Sequence, residues 1–114
     1  GLHHMFVASA LAVKMAHEID PSYRVGNMMI YSASYPRTCA PADVLKNQQY
    51  NRIINYFCSD VQCRGAYPSY MERFFAENQI HIQKEDGDDA ILKAGTVDFY
   101  TFSYCPPAKP QTVP

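Results

Sequence analysis

The sequence predicts an α/β protein in which parallel strands alternate with helices. Residues 23–31 and 97–104 are short, almost continuously apolar segments, which are typical of strands buried on both faces of a parallel sheet. A long, mostly helical connection separates them, and strands joined by such a crossover run parallel. A sheet of only two parallel strands is rare, so the order of elements indicates one part of a larger repeating β/α protein.

The first helix is predicted over residues 2–19. This segment is rich in Ala, Leu and Met, and it ends where Asp20-Pro21 interrupts the helical pattern. As far as Val13, apolar residues occur on almost every side of this helix, which favours a helix that packs against other elements on both flanks. After a turn, the first strand follows over residues 23–31.

The connection between the two strands is predicted to contain three helices. Residues 32–39 are expected to form a loop, and residues 41–57 carry apolar side chains at helical spacing after a proline that suits a first helical position. After a polar connection, two shorter helices are expected over residues 69–77 and 86–92. Residues 80–82 are a candidate extended segment.

The second strand, residues 97–104, is followed by a tail that is rich in proline. Proline cannot donate a backbone hydrogen bond, so regular structure is not expected in such a segment. We therefore expect a folded unit over residues 1–105 and an irregular tail over residues 106–114.

Composition excludes several functional classes. A length of 114 residues fits no more than one domain, and 47% hydrophobic with 18% charged residues argues against disorder. A net charge of −1 and an isoelectric point of about 6.4 provide no basic surface for nucleic acid or for an anionic membrane. The longest apolar run is about half of a membrane-spanning helix and lacks the pattern of a signal peptide. We therefore expect a soluble, cytoplasmic protein.

Four cysteines lack the spacing of a metal or redox motif. They are Cys39, Cys58, Cys63 and Cys105. Four residues separate the second from the third, which is too many for a CxxC pair. His3 and His4 could add ligands, but adjacent histidines point to opposite sides of an extended chain. The expectation is free, mostly buried thiols, with no metal and no cofactor.

Four stretches carry a resemblance to a known family. They are LHHMFVASALAVK at residues 2–14, RVGNM at 24–28, DVQCRGAYPSYM at 60–71 and GTVDF at 95–99, which continues to FSY at 102–104. In order and spacing they resemble family 1 of the glycoside hydrolases, and specifically its bacterial 6-phospho-β-glucosidase branch. The first is similar to the helix after the fourth barrel strand, the second to the fifth strand and the last to the sixth.

The resemblance implies a (β/α)8 TIM barrel, of which the chain would form an incomplete part, from helix 4 through strand 6. It also implies a phosphorylated β-glucoside as substrate, hydrolysed with retention by two glutamates about 5 Å apart. In the family these glutamates lie in an Asn-Glu motif after strand four and in a Glu-Asn-Gly motif after strand seven. Neither motif occurs in this sequence, so we expect no catalytic residue within the chain and no activity from the chain alone.

One active-site motif of the family falls within the sequence. At the end of strand six the family carries Asn-Tyr-Tyr or Ser-Tyr-Tyr, and its last tyrosine hydrogen-bonds the nucleophile. This chain has Ser103, Tyr104 and Cys105 there, which makes these three the candidate substrate-binding residues. Cys105 takes the place of the last tyrosine, and a thiol is shorter and a much weaker hydrogen-bond donor than a phenol.

A second hypothesis is a non-catalytic α/β module that completes its sheet by self-association. Open strand edges and a helix with little cover are surfaces that seek partners. Two polar features have ordinary structural interpretations. The acidic run at residues 85–89 lacks the ligand pattern of a calcium loop and is expected to be the solvated start of a helix. Asp98, at the start of its strand, is expected to have a structural role.

Overall fold

The computed structural model describes residues 1–104 and the backbone of residues 111–113. The helices are α1 (Leu2–Ile19), α2 (Pro41–Asn51), α3 (Phe57–Arg64), α4 (Tyr70–Glu77) and α5 (Asp88–Ala94), and a π-helical segment, Arg52–Tyr56, joins α2 to α3. The strands are β1 (Gly26–Tyr31), β2 (Ser34–Pro36), β3 (Phe99–Tyr104) and β4 (Gln111–Val113). Within the described residues, no helix is both long and apolar enough to cross a bilayer.

The two predicted strands pair in parallel, as the crossover requires. The register joins Gly26 of β1 to Phe99 of β3 at one end and Tyr31 to Tyr104 at the other. Both strands begin two or three residues later than their apolar runs predict. The first helix has the predicted bounds, and its end is fixed by the Asp20 amide, which donates to the carbonyl of Ala16.

A second parallel pair forms where no regular structure was expected. β2 lies within the predicted loop at residues 32–39, and it pairs with β4, which lies within the tail predicted to be irregular. Both predictions are therefore wrong at these residues. The three residues of β4 lie between prolines and keep their amides, so this short stretch of the tail can take part in a ladder.

The helix after β2 is longer than predicted. Instead of ending near Phe57, it continues through the π-helical segment and α3 to Arg64. Val61 of α3 is buried in the core, which provides a reason for the continuation beyond the apolar stripe seen in the sequence. Gly65 ends the helix with a left-handed φ of 69°, and its amide donates to the carbonyl of Val61.

The core lies among the helices. Its buried apolar side chains come from four of the helices and are Phe6, Ala10, Phe57, Val61, Met71 and Leu92. The end of α5 packs very closely on α1, because a Cβ atom at Gly95 would lie 2.1 Å from the carbonyl oxygen of Ala10. This contact fixes the position of the residues that lead into β3.

The sheet, in contrast, is covered on one face only. Asn27 of β1 is buried against α3, where its amide donates to the side-chain oxygen of Gln62 at 2.8 Å. On the opposite face Met28 is 65% exposed and Ile30 is 68% exposed, and every residue of β3 is exposed. The prediction that both faces of these strands are buried is therefore wrong for this structure, since its described helices pack on one side of the sheet.

Candidate functional site

The candidate site lies at the carboxyl ends of β1 and β3. Tyr31 and Tyr104 are register partners there, and their ring centroids are 6.3 Å apart. The Tyr31 ring also contacts Phe102, with centroids 5.8 Å apart. In parallel β/α sheets, the carboxyl ends of the strands are the end at which ligands bind. The predicted residues therefore lie at the end of the sheet that suits a binding site.

The alternation of β3 divides the predicted site residues between two faces. Tyr104 lies on the same face as Tyr31, which its ring contacts. Ser103, a register partner of Ile30, belongs to the opposite, uncovered face. Cys105, the third predicted site residue, lies outside the described residues. Ser103 thus shares its face with Met28 and Ile30, whereas Tyr104 extends an aromatic cluster.

A hydrogen-bonded network supports the chain that leaves β1. A hydrogen bond with the Tyr56 side chain raises the pKa of the Tyr31 phenol, with burial as a second cause. The next residue, Ser32, is held through its backbone amide and carbonyl by the Asn55 side chain. Sequence reasoning missed this network. The available signal was the occurrence of asparagine at positions 47, 51 and 55, a spacing of four that places all three near one helix face.

A second buried polar cluster joins α1, α5 and the segment between α3 and α4. His3 Nε2 lies 2.8 Å from the Asp88 carboxylate, and His3 Nδ1 lies 2.9 Å from the Tyr67 hydroxyl. The bond with His3 lowers the pKa of Asp88, and burial raises the pKa of Tyr67 to about 12. Asp88 begins α5 as part of the acidic run, but it is buried, so the prediction of a solvated helix start is wrong at this residue.

A cavity in the described part of the chain lies away from the candidate site. It has a volume of about 600 Å³, and residues from α1, the α2–α3 helix, α4 and the segment after α4 line it. Its lining includes Phe57, Phe75 and Ile80 and includes no residue of β1 or β3. The segment around Ile80, a candidate for extended structure, forms no strand and lies over this cavity instead.

The described cysteines are free thiols. Cys58 is half-buried, and burial raises the pKa of its thiol. Cys39 and Cys63 are exposed, so the expectation of mostly buried thiols is wrong for these two. Across residues 1–104 and 111–113, no group of three His, Cys, Asp or Glu side chains is arranged to hold a metal ion.

Asp98 connects the amino ends of the two strands. Its carboxylate accepts hydrogen bonds from the Val25 amide and from His17 Nε2, each at 2.8 Å, and Arg24 lies 3.6 Å from its other oxygen. The Asp98 amide in turn donates to the carbonyl of Val25 at 2.7 Å. These contacts lie at the opposite end of the sheet from Ser103 and give Asp98 a structural role.

The stability provided by Asp98 is expected to depend on pH. The hydrogen bond from the Val25 amide, together with His17, lowers the pKa of Asp98 in the folded chain. A lowered pKa adds stability that is complete above the unfolded-state value of about 3.9 and is lost as the pH falls through the folded value. We expect Asp98→Asn to lower the Tm at pH 7 by a few degrees, and to lower it progressively less below about pH 4.

Thermal unfolding followed by circular dichroism between pH 3 and pH 7 measures this effect. The matched control is Asp86→Asn, which removes an exposed carboxylate and is expected to leave the Tm close to that of the parent at each pH. A Tm difference for Asp98→Asn that stays constant across the whole range would contradict the linkage.

Solved structures with a similar fold identify the architecture. The structure is similar to a β-glucosidase from Exiguobacterium marinum, with a TM-score of 0.72 and 22% sequence identity over 90% of this chain and 24% of that one. It is also similar to the β-glucosidase of Exiguobacterium antarcticum B7, with a TM-score of 0.73 over 24% of that chain. The fold is therefore that of part of a (β/α)8 barrel, as the sequence predicts.

The family follows from sequence comparison. Residues 1–112 match the model of glycosyl hydrolase family 1, and the chain belongs to this family. It is 50% identical over 103 residues to the phospho-cellobiase of Klebsiella oxytoca and over 102 residues to the aryl-phospho-beta-D-glucosidase BglH of Bacillus subtilis. It is 50% identical over 102 residues to the 6-phospho-beta-glucosidase AscB of Escherichia coli. Each alignment covers 90% of this chain but only 21–22% of the relative, so the chain spans about a fifth of their length.

Proposed function

We propose that this chain forms one wall of the active site of a retaining 6-phospho-β-glucosidase. The observation that carries the proposal is 50% identity, over 90% of the chain, to relatives named for the hydrolysis of phosphorylated β-glucosides. The position of β1 and β3 supports it, because the carboxyl ends of barrel strands form the active sites of such folds. In this proposal Ser103 and Tyr104, on opposite faces of β3, and Cys105 after them contribute to the end of the barrel that binds the phosphorylated β-glucoside.

The chain alone is proposed to be inactive. Retaining hydrolysis needs two carboxyl groups about 5 Å apart, one to protonate the leaving oxygen and one to attack the anomeric carbon. The strands β1, β2 and β3 contain no Asp and no Glu. The wall can therefore position substrate and polarise neighbouring groups, but it supplies neither the acid nor the nucleophile. The free thiols of Cys39, Cys58 and Cys63 support a reducing, cytoplasmic location for the protein.

Two assays with 4-nitrophenyl 6-phospho-β-D-glucoside test the proposal. In the first, the 114-residue chain is expected to release nitrophenol no faster than buffer, and turnover above that rate would disprove its inactivity. In the second, the chain replaces the matched 102-residue segment of BglH. This chimera is expected to hydrolyse the phosphorylated substrate above the buffer rate, with intact BglH and BglH without the segment as controls. A folded chimera without any turnover would overturn the proposed function.

A second candidate function is self-association without catalysis. The uncovered face of the sheet favours it, because Met28, Ile30 and Phe99 expose large apolar areas there. In the described part of the chain, β1 and β3 each pair on one side only, which leaves one open edge per strand. Sedimentation velocity of the isolated chain discriminates between the candidates. A dimer or larger species that Ile30→Lys converts to monomer would favour this function, and a monomer at high concentration would exclude it.

A further inference from the structure

A π-helical turn interrupts the helix that follows β1. It spans Arg52–Tyr56, and the amide of Phe57 donates to the carbonyl of Arg52, five residues earlier. Turns of this type are rare within helices and are frequent at functional sites. Asn55, inside the turn, is only 2% exposed, so its amide group needs protein partners.

Asn55 binds both backbone polar groups of one loop residue. Its Oδ1 accepts from the Ser32 amide at 3.0 Å, and its Nδ2 donates to the Ser32 carbonyl at 2.9 Å. A single side chain thereby pairs with Ser32 in the manner of a neighbouring strand. Ser32 is the residue that directly follows the last residue of β1.

The hydrogen bonds continue along the helix, and each side chain that accepts one of them donates the next. The second proton of the Asn55 amide is donated to Asn51 Oδ1 at 2.6 Å, and Asn51 Nδ2 donates to Ser34 Oγ at 2.8 Å. The Ser34 hydroxyl then donates to Asn47 Oδ1 at 2.8 Å. Each bond fixes the orientation of the next amide, so the three asparagines hold both Ser32 and the first residue of β2.

The π turn explains how all three asparagines stay on one face. In an α-helix a step of four residues overshoots one turn by about 40°, so residues at positions i and i+8 drift apart by about 80°. A turn closed by a bond to the fifth residue back is wider, and it reduces this drift between Asn51 and Asn55. The unusual turn therefore has a direct geometric consequence for the network.

The network reaches the candidate site through two residues that are adjacent in sequence to its members. Ser32 follows Tyr31, whose ring lies 6.3 Å from that of Tyr104. Tyr56 follows Asn55 and hydrogen-bonds with Tyr31 through its side chain. The end of β1, the loop after it and β2 are consequently attached to one helix face by side-chain bonds.

We propose that Asn55 and Asn51 are positioning residues, which fix the loop after β1 and the Tyr31 ring so that Tyr31 and Tyr104 form a rigid end of the substrate-binding wall. The consequence for catalysis rests on the proposed function, whereas the consequence for the loop does not. A carboxylate at position 55 keeps the size of the side chain but has no protons to donate. Asn55→Asp therefore places an acceptor against the Ser32 carbonyl and against Asn51 Oδ1.

Hydrogen exchange on the 114-residue chain tests the positioning itself. In Asn55→Asp the amides of residues 32–35 are expected to exchange at least tenfold faster, while core amides of α1 keep the parent rates. Asn78→Asp is the matched control, since Asn78 is exposed and also donates to a backbone carbonyl, that of Phe74. Ser34→Ala removes one node of the network with less risk to folding and is expected to act in the same direction. Unchanged exchange at the amides of residues 32–35 in both variants would overturn the proposal.

Kinetics of the BglH chimera test the link to the site. Asn55→Asp is expected to lower kcat on the order of tenfold at a temperature where the chimera is fully folded, with a smaller change in KM. Asn78→Asp is expected to leave both constants unchanged. If the parent chimera is active and Asn55→Asp alters neither constant, the positioning role is overturned while the proposed function stands. If the parent chimera is inactive, the proposed function fails and hydrogen exchange alone decides the positioning role.

Discussion

Gly95→Ala is expected to destabilise the chain by about 3 kcal/mol or more, a large fraction of the stability of a small domain. The methyl group would lie 2.1 Å from the carbonyl oxygen of Ala10, in the middle of α1. Backbone in a core helix cannot turn aside, so α5 would have to separate from α1. Since the next residues lead into β3, the loss extends from the helical core to the sheet. Urea unfolding followed by circular dichroism measures the change in the free energy of unfolding.

Gly26→Ala is the matched control for this prediction. A Cβ atom at Gly26 would also be obstructed at 2.1 Å, but by a ring carbon of Phe99. The Phe99 side chain is 49% exposed and can rotate toward solvent. We expect a clearly smaller loss of stability than for Gly95→Ala, and equal losses in the two variants would contradict the assignment of the first to the backbone contact.

Cys105→Tyr in the BglH chimera is expected to raise kcat on the order of 10²-fold. The resemblance to the family assigns this position to a tyrosine that hydrogen-bonds the nucleophile, and a thiol can neither reach as far nor donate as strongly. Removal of a single donor that acts on the reacting groups commonly costs two or three orders of magnitude in rate. Initial rates with 4-nitrophenyl 6-phospho-β-D-glucoside at saturating concentration provide the measurement.

The control is Cys63→Tyr, which introduces the same side chain at an exposed position of α3. It is expected to leave kcat within a factor of about two, because an exposed helix position is remote from the strand ends. A comparable rate gain in both variants, or none at position 105, would contradict a role for this position in the reaction.

The sequence predicts the elements that depend on local pattern. The bounds of α1 follow from helix-forming residues that end at Asp20-Pro21, and the parallel direction of β1 and β3 follows from the helical crossover between them. The family resemblance, carried by stretches such as residues 60–71, is confirmed by the match over residues 1–112. These features were accessible because each follows from a continuous stretch of sequence or from the length of the connection between two such stretches.

Features that depend on distant partners were not predicted. β2 and β4 are three residues long and exist only because they pair with each other across most of the chain. The burial of Asp88 requires His3, which is 85 residues away in the sequence. The apolar content of β3 led to the wrong prediction that this strand is buried. A run such as FYTFSY indicates that the strand needs other elements packed against it, but not whether the chain itself provides them.

The candidate site shows the same division. The position of Ser103 and Tyr104 at a strand end could be inferred from the sequence, and the structure agrees. The asparagine network could not, because a spacing of four residues is compatible with any helix face and the π turn that aligns Asn55 has no sequence pattern of its own. The opposite orientations of Ser103 and Tyr104 follow from strand alternation once the boundaries of β3 are known.

The paired backbone and carboxylate bonds between Asp98 and Val25 also have a consequence for strand alignment. Parallel strands joined by a long crossover have no tight turn to fix which residue faces which. A slip of two residues would keep every side chain on its own face, so the apolar pattern alone does not prevent it. Because Asp98 both donates to and accepts from Val25, such a slip breaks two hydrogen bonds at once. One carboxylate at the start of β3 thus selects a single alignment, and with it the partnership of Tyr31 and Tyr104 at the far end.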